Sequence, residues 1–262
     1  MSFSPPSGET ASPRLEAALR AVKPPVSWVV GGAIRRRGTD VTARTGGRSC
    51  LVLAPHPDDE TLGCGATIMR KLGAGSDVHV LVVSDGATWP PWNEPAQNVA
   101  IRDGELRRAC AVLGLASEAL THLSFPETEL HRAEDALTDA MSDALGAHVP
   151  DEVLATSEAD PHSDHAALGR AVRRACAGRP LRLLSYPVWQ WERPRSWLRT
   201  LRASSSPELV RTDGYVERKR AALDAYQSQM ATGAGPARTE GLEPWFLRRF
   251  LGPNEMFFPV PL

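Results

Sequence analysis

Between residues 49 and 187, short apolar runs alternate with longer stretches of helical period. Cys50–Ala54 and Val78–Val83 are uninterrupted apolar or β-branched runs of the length of buried strands. Further strands are predicted at Thr121–Phe125, Glu152–Ala155 and Leu181–Tyr186. Helices are predicted between them at Gly65–Leu72, Val99–Leu113, Ala133–His148 and about Asp164 to Ala177. Gly73, Gly114 and Gly178 follow three of these helices, where C-caps favour glycine. Strands that alternate with helices imply βαβ crossovers, so the pattern predicts an α/β fold with a mostly parallel sheet.

The flanks read differently. Residues 1–13 are rich in Ser, Pro and Gly, a composition that favours poor order, and a short helix at Leu15–Val22 should stop at Pro24-Pro25. Residues 35–48 are polar and glycine-containing, so 1–48 is expected to form an N-terminal arm ahead of one domain at 49–262. Residues 187–262 hold four of the seven tryptophans and an amphipathic helix near Tyr215–Met230. They are expected to pack on the sheet edge or over a pocket mouth, with no domain of their own.

Composition adds exclusions. A formal net charge of −1 gives no electrostatic case for nucleic acid or an anionic membrane, and Arg35-Arg36-Arg37 reads as a solvated face. No apolar stretch approaches the roughly 18 residues of a membrane span. The start has neither the basic nor the apolar region of a signal peptide, and the four cysteines form no CxxC pair. A cytoplasmic protein with reduced thiols is the expectation.

Chemistry concentrates at two strand ends. Pro55-His56-Pro57-Asp58-Asp59-Glu60 follows the first apolar run, and Asp160-Pro161-His162-Ser163-Asp164-His165 follows the fourth predicted strand. Open α/β sheets place ligands at such ends. His56 and Asp59, three apart, are close enough to grip one ion, and His165 is the better candidate for the third ligand. Zinc is the best guess, with iron(II) or cobalt also compatible with a mixed N/O triad. Asp58 is then free to act as general base, and His162 as acid or oxyanion stabiliser with its tautomer fixed by a carboxylate such as Asp164. Taken alone, His-Pro-Asp-Asp reads equally well as a capped helix start; the second cluster tips the balance. His79, His122, His131 and His148 lack a carboxylate-rich context and are not expected to be ligands. No Gly-x-Ser-x-Gly elbow, P-loop or dinucleotide fingerprint is present.

These motifs resemble those of the LmbE-like (PIG-L) deacetylases. Ala54–Glu60 is similar to Ala-His-Pro-Asp-Asp-Glu with Pro55 inserted, and Asp160–His165 to the second motif, with Ser163 where Pro is usual. The likeness runs from about residue 49 to 187. It implies a Rossmann-like three-layer sandwich and zinc-dependent hydrolysis of an N-acyl group, typically N-acetyl, from an amino sugar or glycoconjugate. Carried onto this chain, the resemblance makes His56, Asp59 and His165 the metal ligands, Asp58 the base and His162 the oxyanion stabiliser, with Asp164 orienting His162. Weaker likenesses make Arg102, Glu127 and Asp85 substrate-binding, with Glu127 standing for an Asp and Thr128 for a Gly. Arg102 reads equally as a surface partner of Glu105. A non-catalytic sugar-conjugate binder that keeps its metal, or a metal-dependent amide or ester hydrolase on another natural product, is the competing expectation. Trp189, Trp191, Trp245 and Phe246 fit core or interface better than a hydrophobic acceptor site. Substrate identity and oligomeric state are not legible.

Overall fold

The computed structural model describes residues 25–193, 196–197, 206–230 and 241–262. The expected helix at Leu15–Val22 and the Ser/Pro/Gly-rich start lie outside them. The strands are β1 (Thr39–Asp40), β2 (Cys50–Ala54), β3 (Val78–Ser84), β4 (Leu120–Phe125), β5 (Glu152–Thr156), β6 (Arg182–Tyr186), β7 (Glu208–Arg211) and β8 (Asn254–Val260). The helices are α1 (25–35), α2 (Asp59–Gly73), α3 (Pro95–Leu113), α4 (Glu134–His148), α5 (Ser163–Cys176), α6 (Val216–Leu223) and α7 (Pro244–Phe250).

The sheet runs β1-β7-β8-β6-β5-β2-β3-β4. Strands β6, β5, β2, β3 and β4 are parallel, and β8 is antiparallel to both β6 and β7. Alternate residues of the central strands feed opposite faces. Val52, Val80, Val82 and Leu154 pack under α2 and α3, whereas Leu51, Leu53, Leu81 and Val153 pack under α4 and α5. The fold is a three-layer α/β sandwich. Chain order places β3 on one side of β2 and β5 on the other, so the topological switch falls between β2 and β5. Both histidine–aspartate clusters follow these two strands.

Three elements differ from the sequence reading. Helix α2 starts at Asp59 and not at Gly65, so Gly63 lies inside it. A Cβ at Gly63 would collide with the ring of Tyr186, so the glycine serves a close helix-to-strand approach. The segment expected to be one helix over Tyr215–Met230 is α6 followed by a separate 3₁₀ turn at Gln227–Gln229. Finally, the C-terminal portion enters the sheet as β7 and β8, and the expected N-terminal arm contributes β1, paired with β7.

Candidate active site

Strand β2 delivers His56 to the carboxyl end of the sheet, and the chain turns at once into α2. The turn forces Asp58 to φ +126°, a conformation that side chains other than glycine rarely adopt. Such strain, of order 1–3 kcal/mol, persists only where surrounding contacts over-determine it. From the other side of the switch point, β5 and the start of α5 deliver His162 and His165.

The two segments meet. His56 Nδ1 lies 3.1 Å from Asp59 Oδ2, and His165 Nε2 lies 3.2 Å from both that oxygen and His56 Nδ1. Three donor atoms at these separations form the base of a coordination polyhedron, since metal–ligand bonds of about 2.0–2.1 Å in a tetrahedron place ligand atoms about 3.3 Å apart. All three residues are buried, at 5%, 2% and 0% exposure. The outer contacts fit as well. His56 Nε2 is 3.1 Å from Asp164 Oδ2, a carboxylate placed to accept a hydrogen bond from Nε2–H and so leave Nδ1 unprotonated for an ion. His165 Nδ1 is buried without a hydrogen-bond partner, and the Asp160 carboxylate lies 3.8 Å away. The donor set therefore fits a divalent cation. His162 also brings a ring nitrogen into the group, all three imidazoles offering atoms within 4.8 Å of one another.

Asp164 departs from its expected part. Its carboxylate bonds His56 and accepts the backbone N–H groups of Thr128 (2.7 Å) and Leu130 (3.3 Å). The backbone N–H of Asp164, not its carboxylate, donates to His162 Nδ1 at 3.2 Å, because His162 is the N-cap of α5. With Nδ1 accepting, the proton of the neutral ring sits on Nε2, which becomes a donor. Burial, reinforced by His165 and His56, pushes the His162 pKa down to about 2, so the ring is neutral.

The carboxylates are tuned apart. Burial drives the Asp58 carboxyl well above its usual range, and Arg102, 3.5 Å away, opposes that only in part. Burial also acts to raise Asp59, but His165 and His56 outweigh it and hold Asp59 ionised. His56 shows the reverse balance: burial alone would lower it, while Asp164 and Asp59 raise it well above the ordinary imidazole value. A pocket whose carboxylates raise the proton affinity of its imidazole also favours a metal cation.

Arg102 is fully buried on α3 and is no surface partner of Glu105. It bonds the Pro57 carbonyl as well as Asp58. Glu127 lines the same cleft, its Oε2 held by the N–H and hydroxyl of Thr88 at 2.7 and 2.5 Å. Thr128 sits at φ +71°, which accounts for the glycine usual there in the motif it resembles. Asp85 is not among the lining residues. Its Oδ1 accepts the N–H groups of Ala87 (3.0 Å) and Glu127 (3.1 Å), so it folds the loop that aims Glu127.

The space in the cleft, counted out to open solvent, is about 410 Å³. One wall comes from Val188, Gln229 and Leu242, none of which belongs to either motif. Trp189 also lines it, stacked on Phe246 and facing His162 at a ring separation of 6.2 Å. Trp191, by contrast, packs against Trp197 in the core. Asp160 ties this wall to the histidines, accepting from the N–H groups of His162 (2.9 Å) and Trp189 (3.2 Å). A larger cavity of about 690 Å³ opens at the other end of the strands, beside Glu152 and Arg182, away from this chemistry.

Comparison with known proteins agrees with the geometry. The PIG-L family signature, described as GlcNAc-PI de-N-acetylase, matches residues 51–176, the span that carries both clusters. Residues 51–176 are thus similar to the PIG-L (LmbE-like) domain. An uncharacterised deacetylase, YaiS, of Escherichia coli K12 is 29% identical over 188 residues, covering 69% of this chain and 91% of its own. A 1D-myo-inositol 2-acetamido-2-deoxy-α-D-glucopyranoside deacetylase of Rhodococcus jostii RHA1 is 42% identical over 76 residues, 26% of each chain. The zinc-inhibited form of teicoplanin deacetylase Orf2 superimposes with a TM-score of 0.63 at 18% identity, over 81% of this chain and 98% of that one. At that identity the likeness carries the fold alone. Among the described residues, no helix is long and apolar enough to cross a membrane.

Proposed function

We propose that this protein is a metal-dependent hydrolase that removes an N-acetyl or other N-acyl group from an amino sugar or amino-sugar conjugate. The observation that carries the reading is the convergence of His56, Asp59 and His165 on one point, with Asp58 beside it and outside the triad. A purely structural metal site has no use for a strained, proton-binding carboxylate at its edge. The curated relatives are named as deacetylases, one of them of a 2-acetamido glucoside, which supports the amide and the sugar.

A divalent ion held by His56 Nδ1, Asp59 Oδ2 and His165 Nε2, zinc by the chemistry of the set, would supply a Lewis acid and a water of lowered pKa. Asp58 takes the proton of the attacking water, its raised proton affinity suiting it to a base that later gives the proton up. His162 donates from Nε2 to the oxyanion of the tetrahedral species, a contribution worth about 3 kcal/mol in other hydrolases. Arg102 holds Asp58, and Glu127 presents an acceptor to sugar hydroxyls. The four described thiols are buried and uncrosslinked, which suits a reducing cytoplasm.

The test is a panel of N-acetylated amino sugars and their glycosides, assayed for free amine with and without chelator. The panel is repeated with zinc, iron(II) and cobalt from substoichiometric to excess, since a solved relative is described in a zinc-inhibited form. Chelator-sensitive amine release is expected. Release that survives complete metal removal would overturn the metal-dependent reading.

A further inference from the structure

We infer that the turn Tyr226–Ser228, outside the span that matches the family, positions the base Asp58 by backing a two-sided clamp on a single peptide unit. The inference rests on the role of Asp58 proposed above. The Pro57–Asp58 peptide carries two polar groups, and both are taken. Arg102 donates to the Pro57 carbonyl, and the Asp58 N–H donates to Glu60 Oε2 at 3.1 Å. A peptide held at both its C=O and its N–H cannot rotate. That is the restraint a residue at φ +126° requires to stay there.

Each half of the clamp is fixed by the same turn. The Tyr226 hydroxyl donates to Glu60 Oε1 at 2.5 Å, with Thr61 on the same oxygen. Ser228 donates its N–H and hydroxyl to Glu105 Oε1 and Oε2, at 2.8 and 2.7 Å. Glu105 lies on α3 three residues beyond Arg102, so this pair pins the helix that carries the guanidinium. Glu60 and Tyr226 are both 0% exposed, and Glu105 is 2% exposed. The break between α6 and the 3₁₀ turn is what lets Tyr226 and Ser228 face these two carboxylates. Neither residue touches the triad, so they are positioning residues that act through Glu60, Glu105 and Arg102.

The experiment compares Tyr226→Phe and Ser228→Ala with Thr212→Val, which removes another buried hydroxyl, bonded to the Gly252 carbonyl at 2.6 Å and remote from the site. The double variant Tyr226→Phe/Ser228→Ala is expected to lower kcat about tenfold, with KM and metal content within about twofold of the parent. Thr212→Val should leave kcat unchanged even if it lowers Tm as much. In an Asp58→Asn background the double variant should cost nothing further, because its effect passes through Asp58. Equal losses with and without Asp58, or equal losses in Thr212→Val, overturn the inference. Amide exchange at Asp58 reads the clamp without turnover: faster exchange in the double variant than in Thr212→Val supports it, and unchanged exchange defeats it. If the wild type releases no amine from any substrate, the proposed function falls and the exchange result alone decides the clamp.

Discussion

The pair Asp58 and Asp59 shows how far local surroundings can separate two adjacent, chemically identical side chains. Both are buried, yet one is driven toward holding a proton and the other toward giving it up. The difference is the company each keeps, two imidazoles for Asp59 and one guanidinium at 3.5 Å for Asp58. Asp58→Asn should therefore keep its metal while kcat falls about 10²–10⁴-fold. His165→Ala should lose the metal itself, as measured by elemental analysis of the purified proteins. The sign of the pH dependence also follows. A base whose pKa is raised works only above that raised value, so the acid limb of kcat/KM lies above the ordinary carboxylate range. Arg102 opposes the rise, so Arg102→Gln should move the limb to still higher pH. A pH–rate profile in which that limb moves down would contradict the arrangement.

At the level of elements, the close contact of α2 with β6 sets how near the first motif comes to its partners. Gly63 abuts Tyr186, whose hydroxyl is bonded to the Leu53 carbonyl at 2.9 Å. Gly63→Ala must displace that ring, and a loss of about 1–3 kcal/mol in denaturant unfolding is expected, as for other overpacked cores. The parallel core and its helices were legible because apolar runs and glycine caps mark them locally. Other elements were not. In β8 the buried Glu255 stands where a core strand should be apolar, because Lys219 and the N–H groups of Ala66 and Thr67 satisfy it. Only those distant partners explain it. The break after α6 carries no proline or glycine, and it follows from Tyr226 and Ser228 reaching carboxylates more than a hundred residues away. The outer contacts of the histidines were hidden for a similar reason. Asp164 was visible as a carboxylate in the motif, but its choice of His56 over His162 depends on how two strands lie side by side.

Across the whole molecule, the described cysteines respond to alkali together. Burial raises all four thiols, Cys176 to about 11 and Cys50, Cys64 and Cys110 further. In the unfolded chain they ionise near their ordinary value, so above about pH 9 the unfolded state binds fewer protons than the folded one, and stability falls with rising pH. Denaturation midpoints should decline from about pH 9 upward, and Ellman's reagent should find no thiol in the native protein below that pH. The order of the strands has its own outcome. His56 and His165 are more than a hundred residues apart in the chain but follow neighbouring strands, β2 and β5, at the switch point. No fragment ending before β5 can assemble the triad. Cation uptake therefore counts completed molecules, and a metal-sensitive dye would follow the last stage of refolding rather than its beginning.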